Sequence, residues 1–377
     1  MSIVRRSSIM AGSRSNDGEQ IDALLFPEGS YIDTGYYPKG DLTTIECNVA
    51  VFNNSTYCDI FGCKTSDNSL YYVAEVSSSG SKMDFWYNGG RVARGSSVKG
   101  SIVNIIAEPG KFTYNGNSYT FPISTFTMPH SLYINGMNVG DTDSGSNVKI
   151  SLTKFVIREN TEIIKNYIPW KKGNVCGLLD TISGGFLTSA SSVELKEAHK
   201  YLYFDSSPYF DTGVIPTINT SAEYEYFITS QVSGYGPHIM GGSQTWFPFI
   251  RGDNKIISQV AGSQSVFEHS IEYLKKYHFE AFRNGHDIYL DGEYIGTADV
   301  GTDWGNSMYV GVYRDKPTNG QFILRGGVKY INIYEGSTLI RHYVADTQNG
   351  IDGALDLVNN TFSISATNVP FSITYFE

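Results

Sequence analysis

The chain has 377 residues and a formal net charge of −10, from 28 Lys and Arg against 38 Asp and Glu. This acidic balance argues against nucleic-acid binding, which needs a basic surface. No apolar stretch approaches the length that crosses a bilayer, so we expect neither membrane insertion nor a secretory signal peptide. The content of Tyr (27), Phe (21) and Gly (39) favours strands joined by glycine turns.

Residues 1–22 form a polar, serine-rich arm. It carries Arg5, Arg6 and Arg14 before its first acidic residue, Asp17. Because it has no apolar periodicity, we predict an extended segment that becomes ordered on a partner. Three cations at one end of an acidic protein suit an acidic docking surface. The alternative is a disordered leader without a partner.

An internal duplication starts after the arm. YIDTGYYP, from Tyr31, returns as YFDTGVIP from Tyr209, 178 positions later (209 against 31). Four more pairs follow in the same order, each 176 positions apart (287 against 111 for the first): KFTYNG with DIYLDG, SLYINGMNVG with SMYVGVYRDK, EIIKNYIP with TLIRHYVA, and GLLDTISGGFL with GALDLVNNTFS. Ordered matches at a nearly constant offset indicate a tandem repeat. We predict a first domain at 23–197 and a second at 198–377.

The pattern within each unit is that of an all-β domain. In KYHFEAFRNGHDIYLDGEYIG, apolar and polar residues alternate, and Asp291-Gly292 predicts a two-residue hairpin turn. Asn115-Gly116 predicts the same turn in the first unit. FVIRENTEIIKNYIP and INIYEGSTLIRHYVA each predict a further hairpin.

The end of the first unit, SSVELKEAHKYL, has a helical composition but aligns with the alternating TNVPFSITYFE. We therefore predict a closing strand at 193–195 and a very short linker at 197–201. Short strands with glycine turns and no helical crossovers indicate sandwiches or jelly rolls, and the short linker indicates two sandwiches held close together.

All four cysteines lie in the first unit: Cys47, Cys58, Cys63 and Cys176. Since the second unit has none, a disulfide framework is not required by the fold. Cys58 and Cys63 lack a matching His or Cys pair for zinc. We predict free, buried thiols of a protein made in a reducing cytoplasm.

The repeated motifs carry a family resemblance. Each unit opens with Y-(I/F)-D-T-G and nears its end with a strand such as EIIKNYIP followed by G-x-L-D. Over nearly all of 23–377 this resembles the concanavalin A-like, laminin G-like jelly-roll domains of tailed-phage and prophage virion proteins. The second unit departs from the pattern at Ala345, where the first has Pro169, and at Ala354, where the first has an apolar residue.

The resemblance implies two tandem concanavalin A-like jelly rolls in a fibre, decoration or receptor-binding subunit. Such a subunit is expected to be a homo-oligomer in the virion, assembled in the bacterial host cytoplasm. Its arm would contact other virion proteins, and its second domain would face the host surface polysaccharide. Two alternatives stay open: a purely structural virion subunit, and a free bacterial lectin-like protein.

The sequence offers little for catalysis. A strand-borne glucanase site needs a string such as Glu-x-Asp-x-x-Glu, and the nearest is Glu223-Tyr224-Glu225-Tyr226. We interpret it as solvent-facing acids over a tyrosine-lined core. No GxSxG or HExxH motif occurs. We expect no enzyme and no cofactor.

A calcium loop is suggested by Asp141 and Asp143, but these residues are also typical of a surface turn and no distal Glu completes the loop, so we predict no metal. Glycan binding needs exposed aromatic faces beside hydrogen-bonding groups. The candidates are Trp246, Arg251, Asp253, Trp304, Arg314 and Asp315. The alternative for the two tryptophans is packing against the sandwich core or a neighbouring subunit.

Overall fold

The computed structural model describes residues 18–52, 58–77, 82–97, 102–140, 142–145, 149–205, 208–229, 239–241, 246–250, 255–282, 285–302, 304–305, 307–311, 324–367 and 369–376. Within 96–97, 142–145, 246–250 and at residue 205 only the backbone is described. Every regular element in these ranges is a β-strand. None of the described residues belongs to a helix that could cross a membrane.

The first half contains eighteen strands. They are β1 (Glu19–Gln20), β2 (Ala23–Phe26), β3 (Ile32–Asp33), β4 (Thr43–Val51), β5 (Cys58–Lys64), β6 (Tyr71–Val76), β7 (Lys82–Tyr87), β8 (Gly90–Ser97), β9 (Ile102–Glu108), β10 (Lys111–Tyr114), β11 (Asn117–Thr120), β12 (Tyr133–Ile134), β13 (Gly136–Val139), β14 (Thr142–Gly145), β15 (Ile150–Glu159), β16 (Glu162–Lys172), β17 (Val175–Asp180) and β18 (Phe186–Leu187).

Strand β19 (Lys196–Asp205) connects this half to the second. The remaining strands are β20 (Phe210–Asp211), β21 (Thr220–Ile228), β22 (Met240–Gly241), β23 (Trp246–Ile250), β24 (Lys255–Val260), β25 (Ser263–Ser270), β26 (Lys276–Ala281), β27 (Asp287–Leu290), β28 (Glu293–Thr297), β29 (Tyr309–Val310), β30 (Arg325–Glu335), β31 (Thr338–Gln348), β32 (Ile351–Asp356), β33 (Thr361–Ser363) and β34 (Ser372–Phe376).

These strands form three sheets. A shared sheet of 20 strands runs through both halves and includes β4, β9 and β15 of the first and β21, β26 and β30 of the second. The first facing sheet contains β3, β5–β8 and β12–β14, and the second facing sheet contains β20, β22–β25 and β29. Among the described strands the pairings are antiparallel, except for the parallel pair β5–β13.

Each facing sheet packs on the shared sheet and encloses its own core. In the first core Phe85 of β7 stacks on Phe112 of β10, with ring centroids 4.7 Å apart. In the second, Phe210 of β20 meets the ring of Tyr343 in β31 edge-on at 5.0 Å. The predicted fold class, all-β with two tandem sandwiches, is confirmed. The first core also includes Ile21, ahead of the predicted start at residue 23.

The repeated Asp-Thr-Gly triplet is a structural turn. The Thr34 hydroxyl donates to the carbonyl of Leu132 at 2.8 Å, and the Thr212 hydroxyl donates to that of Met308 at 2.8 Å. Each glycine follows with a positive φ, 65° for Gly35 and 66° for Gly213, a region that favours glycine. Within each facing sheet, the triplet therefore ties the end of one strand, β3 or β20, to the residue just before the next, β12 or β29.

The predicted hairpins are present. Asn115 and Gly116 adopt φ values of 44° and 77°, and Asp291 and Gly292 adopt 51° and 84°, as a type I′ turn requires. β15 pairs with β16, and β30 pairs with β31, across short polar turns.

The predicted closing strand at 193–195 and the linker at 197–201 are wrong. The strand starts at Lys196, three residues later, and continues as β19 through the proposed linker. Residues 196–198 pair with β2 of the first sandwich, whereas residues 199–205 pair with β34 and β30 of the second. Backbone pairing on both sides makes this segment a strand that belongs to both sandwiches.

The four cysteines are buried and form no disulfide, as predicted. Burial raises the pKa of the Cys47, Cys63 and Cys176 thiols above the usual range. They therefore remain protonated at neutral pH and behave as small apolar side chains.

A third cluster, the aromatic seam, fills the junction of the two sandwiches. Phe227 of β21 stacks on Phe376 of β34 with centroids 4.1 Å apart, and Phe52 of the first sandwich meets Phe376 edge-on at 5.1 Å. Tyr201 of β19 packs against Phe227 at 5.1 Å. The seam is completely buried at these four rings, so the junction is packed like a domain interior.

Replacing Phe52 with alanine should open the seam. We expect a loss of about 3 kcal/mol in the free energy of unfolding, because a fully buried ring is removed, together with faster proteolysis near β19. Denaturant titration and limited proteolysis measure both effects. Phe112→Ala, in the first core away from the seam, is the control for destabilisation alone. Equal cleavage near β19 in the two variants would contradict the role of the seam.

Candidate functional site

The outer face of the shared sheet in the second sandwich carries a hydrogen-bonded group of polar and aromatic side chains. Its central strand, β21, lies between β26 and β30. Strand alternation places Tyr224 and Tyr226 in the core, fully buried, and turns Glu223 and Glu225 outwards. The interpretation of Glu223-Tyr224-Glu225-Tyr226 as outward acids over a tyrosine-lined core is confirmed.

Glu223 is the centre of a hydrogen-bond network. Its Oε1 receives the Tyr330 hydroxyl at 3.0 Å and lies 3.0 Å from Nε2 of His278. Its Oε2 accepts from the Tyr334 hydroxyl at 3.2 Å and from Nδ2 of Asn332 at 3.4 Å. All these side chains share one face of the sheet, so the network is fixed by strand register.

The network controls the charge of Glu223. Burial acts to raise its pKa, but the hydrogen bonds from His278, Tyr330 and Asn332 outweigh burial and hold the pKa below its usual value. Burial and the charge of Glu223 raise the pKa of the Tyr330 hydroxyl, which remains a donor. Glu223 is therefore an ionised acceptor that two tyrosine hydroxyls face.

A second carboxylate lies beside it. Glu280 of β26 is directly opposite Glu223 in the sheet register, and directly opposed residues have Cβ atoms about 5 Å apart. A pocket of about 640 Å³ opens at this point. We call it the glutamate pocket, and its lining includes Ser221, Glu223, Glu280, Tyr334, Gly336 and Ser337.

Glu225, the other outward acid of β21, is compensated. It accepts the Tyr201 hydroxyl at 2.8 Å and forms an ion pair with Lys329 at 3.0 Å. The acidic residues that line the glutamate pocket are Glu223 and Glu280.

The first sandwich has the same framework with different side chains. Glu46 of β4 occupies the position of Glu223, but it is held by Lys154 and Arg158 of β15 in ion pairs. The sheet registers place Tyr330 where the first sandwich has Lys154, and Tyr334 where it has Arg158. Ile106 lies opposite Glu46, where the second sandwich has Glu280. Two cations of the first sandwich are thus tyrosines in the second.

This arrangement offers hydrogen-bonding groups to a ligand. The pKa of Glu223 lies below its usual value, so this carboxylate is ionised at neutral pH, and its oxygens accept bonds from the protein. The glutamate pocket brings the carboxyl groups of Glu223 and Glu280 together with the hydroxyl and ring of Tyr334.

Of the six sequence-predicted glycan-binding residues, Trp304 is the one whose side chain lies within the described part of the chain. Trp304 is partly buried and packs against the second core, as the alternative interpretation required. Arg251, Asp253, Arg314 and Asp315, and the side chain of Trp246, lie outside the described residues. Their role remains a prediction.

Two other groups of residues singled out from the sequence, the arm arginines and the calcium candidates, also lie outside the described residues. Arg5, Arg6 and Arg14 of the arm are not among the described residues, nor are Asp141 and the side chain of Asp143. Among the described residues, no three His, Cys, Asp or Glu side chains are grouped as metal ligands would be.

Sequence reasoning identified Glu223 but missed Glu280, Tyr330 and Tyr334 as its neighbours. These residues come from three strands: Glu280 lies 57 positions after Glu223 (280 against 223), and Tyr330 lies 50 positions after Glu280 (330 against 280). A signal was present in the repeat itself: aligned at the 176 offset, KFVIR of the first unit corresponds to YINIY of the second, so both cations are replaced by tyrosines.

The chain matches no protein-family model and no curated protein. Its fold is similar to that of solved laminin G-like structures. The LG4-5 domains of the mouse laminin alpha1 chain match 89% of this chain and 94% of their own, at 13% identity and a TM-score of 0.31. The LG1-3 region of the laminin alpha2 chain matches 85% of this chain and 63% of its own, at 11% identity and a TM-score of 0.25.

A structure described as a proposed carbohydrate-binding protein from Bacteroides ovatus is also similar. The match covers 95% of this chain and 93% of that one, at 10% identity and a TM-score of 0.38.

Replacing Glu223 with glutamine should lower the free energy of unfolding in a pH-dependent way, because the wild-type carboxylate is ionised. Because its folded-state pKa lies below the unfolded one, the carboxylate stabilises the fold above the unfolded pKa, and this contribution is lost as the pH falls through the folded pKa. We expect Glu223→Gln to cost about 1 kcal/mol at pH 7 and less near pH 3. Denaturant titrations at both pH values test this, and a pH-independent difference would contradict it.

Proposed function

We propose that this chain is a non-enzymatic structural subunit of a bacteriophage virion, a head or tail fibre or decoration protein, that contacts host surface glycans through the glutamate pocket of its second sandwich. The observation that carries the glycan assignment is the replacement of a Lys and Arg pair by Tyr330 and Tyr334 around the same glutamate position.

The chemistry of the pocket supports a sugar ligand. Its volume of about 640 Å³ lies within the range of small-molecule sites. Carboxylate oxygens accept hydrogen bonds from sugar hydroxyls, and tyrosine combines a ring face for the apolar side of a sugar with a polar hydroxyl. Because Glu223 and Glu280 are both acidic, a neutral or amino sugar is the matching ligand.

The first sandwich supports the same proposal by contrast. Lys154 and Arg158 satisfy Glu46 within the protein, so that glutamate has a structural role. In the second sandwich the hydroxyls of Tyr330 and Tyr334 contact Glu223 without neutralising it. Within the described ranges the donors to Glu223 are His278, Tyr330, Asn332 and Tyr334, with no Lys or Arg among them. An anionic acceptor of this kind is suited to an external ligand.

The virion assignment is supported by the sequence resemblance and by the arm. The repeated Y-(I/F)-D-T-G opening resembles jelly-roll domains of phage virion proteins, and the arm places Arg5, Arg6 and Arg14 before any acid. An arm of this charge suits docking on an acidic neighbouring subunit. The proposed localisation is the particle, with the chain as a homo-oligomer.

The glycan proposal predicts the effect of giving the second sandwich the ion pairs of the first. The double variant Tyr330→Lys/Tyr334→Arg should bind at least about tenfold more weakly, a loss of about 1.4 kcal/mol, because Glu223 becomes neutralised. Titration calorimetry with the polysaccharide that binds best on a bacterial surface-glycan array measures this.

The matched control is Lys154→Tyr/Arg158→Tyr in the first sandwich, which should leave that affinity unchanged. A swapped second sandwich that is folded and binds like wild type would overturn the assignment of the pocket. If the wild-type chain binds no glycan on the array, the chain is a purely structural subunit.

The virion proposal predicts a separate result for the arm. Deleting residues 2–17 keeps β1 and should abolish incorporation of the chain into particles, because the three arginines are removed. Replacing Arg5, Arg6 and Arg14 with serine should have a similar effect if charge is the cause. Particle composition by gel electrophoresis and mass spectrometry measures it. Normal incorporation of the truncated chain would contradict the role of the arm, whereas a glycan-binding chain found only outside particles would indicate a free lectin.

A further inference from the structure

The outer face of the first facing sheet carries four aligned side chains that the proposed function does not use. They come from four neighbouring strands, β5, β6, β7 and β8, and are Lys64, Tyr71, Trp86 and Arg91. Lys64 is opposite Tyr71, and Trp86 is opposite Arg91, in the sheet register. We call this set the aromatic row.

The two rings of the row form one surface with a cation at each end. The Tyr71 and Trp86 centroids are 5.6 Å apart with an interplanar angle of 34°. Nζ of Lys64 lies 5.7 Å from the Tyr71 ring, and the Arg91 guanidinium carbon lies 5.8 Å from the Trp86 ring. Both rings are partly exposed, so a ligand can reach their faces.

The Trp86 ring is held in place. Its indole N–H donates to Oε1 of Glu75 at 2.8 Å, and Glu75 is buried. A ring whose orientation is already fixed loses little conformational entropy when a ligand packs on it. Trp86 is therefore preorganised as a contact surface.

The acids near the row leave its ends positive. Asp84 is bound by Arg94, with two contacts of 2.8 and 2.6 Å, and also pairs with Arg91 at 3.6 Å, so two cations share this one carboxylate; the Arg91 side chain is 39% exposed. Burial raises the pKa of Asp59 to about 7 and raises that of Glu75 as well. These two acids consequently carry less negative charge near neutral pH than exposed acids do.

We propose that the aromatic row is a second glycan site, on the first sandwich, that binds carboxylated polysaccharides: the rings of Tyr71 and Trp86 pack on the sugar faces, and Lys64 and Arg91 bind the sugar carboxylates. The two cations come from strands that are three spacings apart, about 14 Å at roughly 4.8 Å per spacing. An extended anionic chain with repeated carboxylates matches this spacing.

This inference goes beyond the glutamate pocket, which is acidic, lies in the other sandwich and matches a different class of sugar. The second sandwich does not repeat the row. By strand position Lys255 of β24 replaces Tyr71, and the register of β24 with β25 places Val266 where the first sandwich has Trp86. Val266 is 45% exposed, so among the described side chains an aliphatic residue stands where the first sandwich has the Trp86 ring. Single-stranded nucleic acid also packs on rings between cations, but the net charge of −10 disfavours it.

The test compares one polymer with and without its charges. Wild-type full-length chain is titrated with polygalacturonate and with the fully methyl-esterified polymer, by calorimetry. We expect polygalacturonate to bind at least about tenfold more tightly. Trp86→Ala should weaken that binding about tenfold or more, and Lys64→Ala/Arg91→Ala should reduce it to the level of the ester. Trp86→Phe retains a ring and should recover most of the affinity, which separates loss of contact from loss of fold.

Two matched controls distinguish binding at the aromatic row from binding at the glutamate pocket. Val266→Ala, at the corresponding place in the second sandwich, and Tyr330→Lys/Tyr334→Arg should both leave polygalacturonate binding unchanged. The inference is overturned if wild type binds neither polymer, if it binds both equally, if Trp86→Ala binds like wild type, or if a single-stranded DNA oligomer binds more tightly than polygalacturonate. None of these outcomes bears on the neutral-sugar pocket.

Discussion

The structure depends on one strand that is shared by two cores. β19 pairs with β2 of the first sandwich at its start and with β30 and β34 of the second along the rest. The aromatic seam fills the space beside it, where Phe52 from the first sandwich meets Phe376 and Phe227 from the second. Because backbone pairing and ring packing act together there, the two sandwiches are held as one body. The two proposed glycan faces therefore have a fixed relation to each other, as a surface contact with an ordered polysaccharide requires.

The duplication explains how the two sandwiches differ while keeping one framework. Registers and turns are common to both, down to the Thr34 and Thr212 hydrogen bonds. The outward faces are free to differ, since their side chains contribute less to the cores. On the shared sheet, the cations around Glu46 are tyrosines around Glu223. On the facing sheets it is the first sandwich that carries the aromatic residue, because its Trp86 corresponds to Val266 in the second. At these described positions, each sandwich thus has aromatic side chains where its copy has other residue types.

Much of the fold could be predicted because it is encoded locally. Asn-Gly and Asp-Gly dipeptides require positive φ values, and Asn115 and Asp291 have them. Alternation placed Tyr224 and Tyr226 inside. The strand at 193–195 was misplaced because pairing with β2, rather than local composition, determines where β19 begins. The glutamate pocket could not be predicted from single motifs, since Glu280 meets Glu223 only through the register of β21 with β26, and Tyr334 reaches it only through the register of β21 with β30. The comparison of the two repeats carried the missing information, at the positions of Lys154 and Arg158.

The most direct test of the account is a crystal structure of the full chain with an oligosaccharide from the glycan that it binds best among neutral and amino-sugar polysaccharides. The account predicts a sugar ring in the glutamate pocket, against Tyr334, with hydroxyl or amino groups bonded to Glu223 and Glu280. A sugar bound elsewhere on the second sandwich, with the glutamate pocket empty, would contradict it.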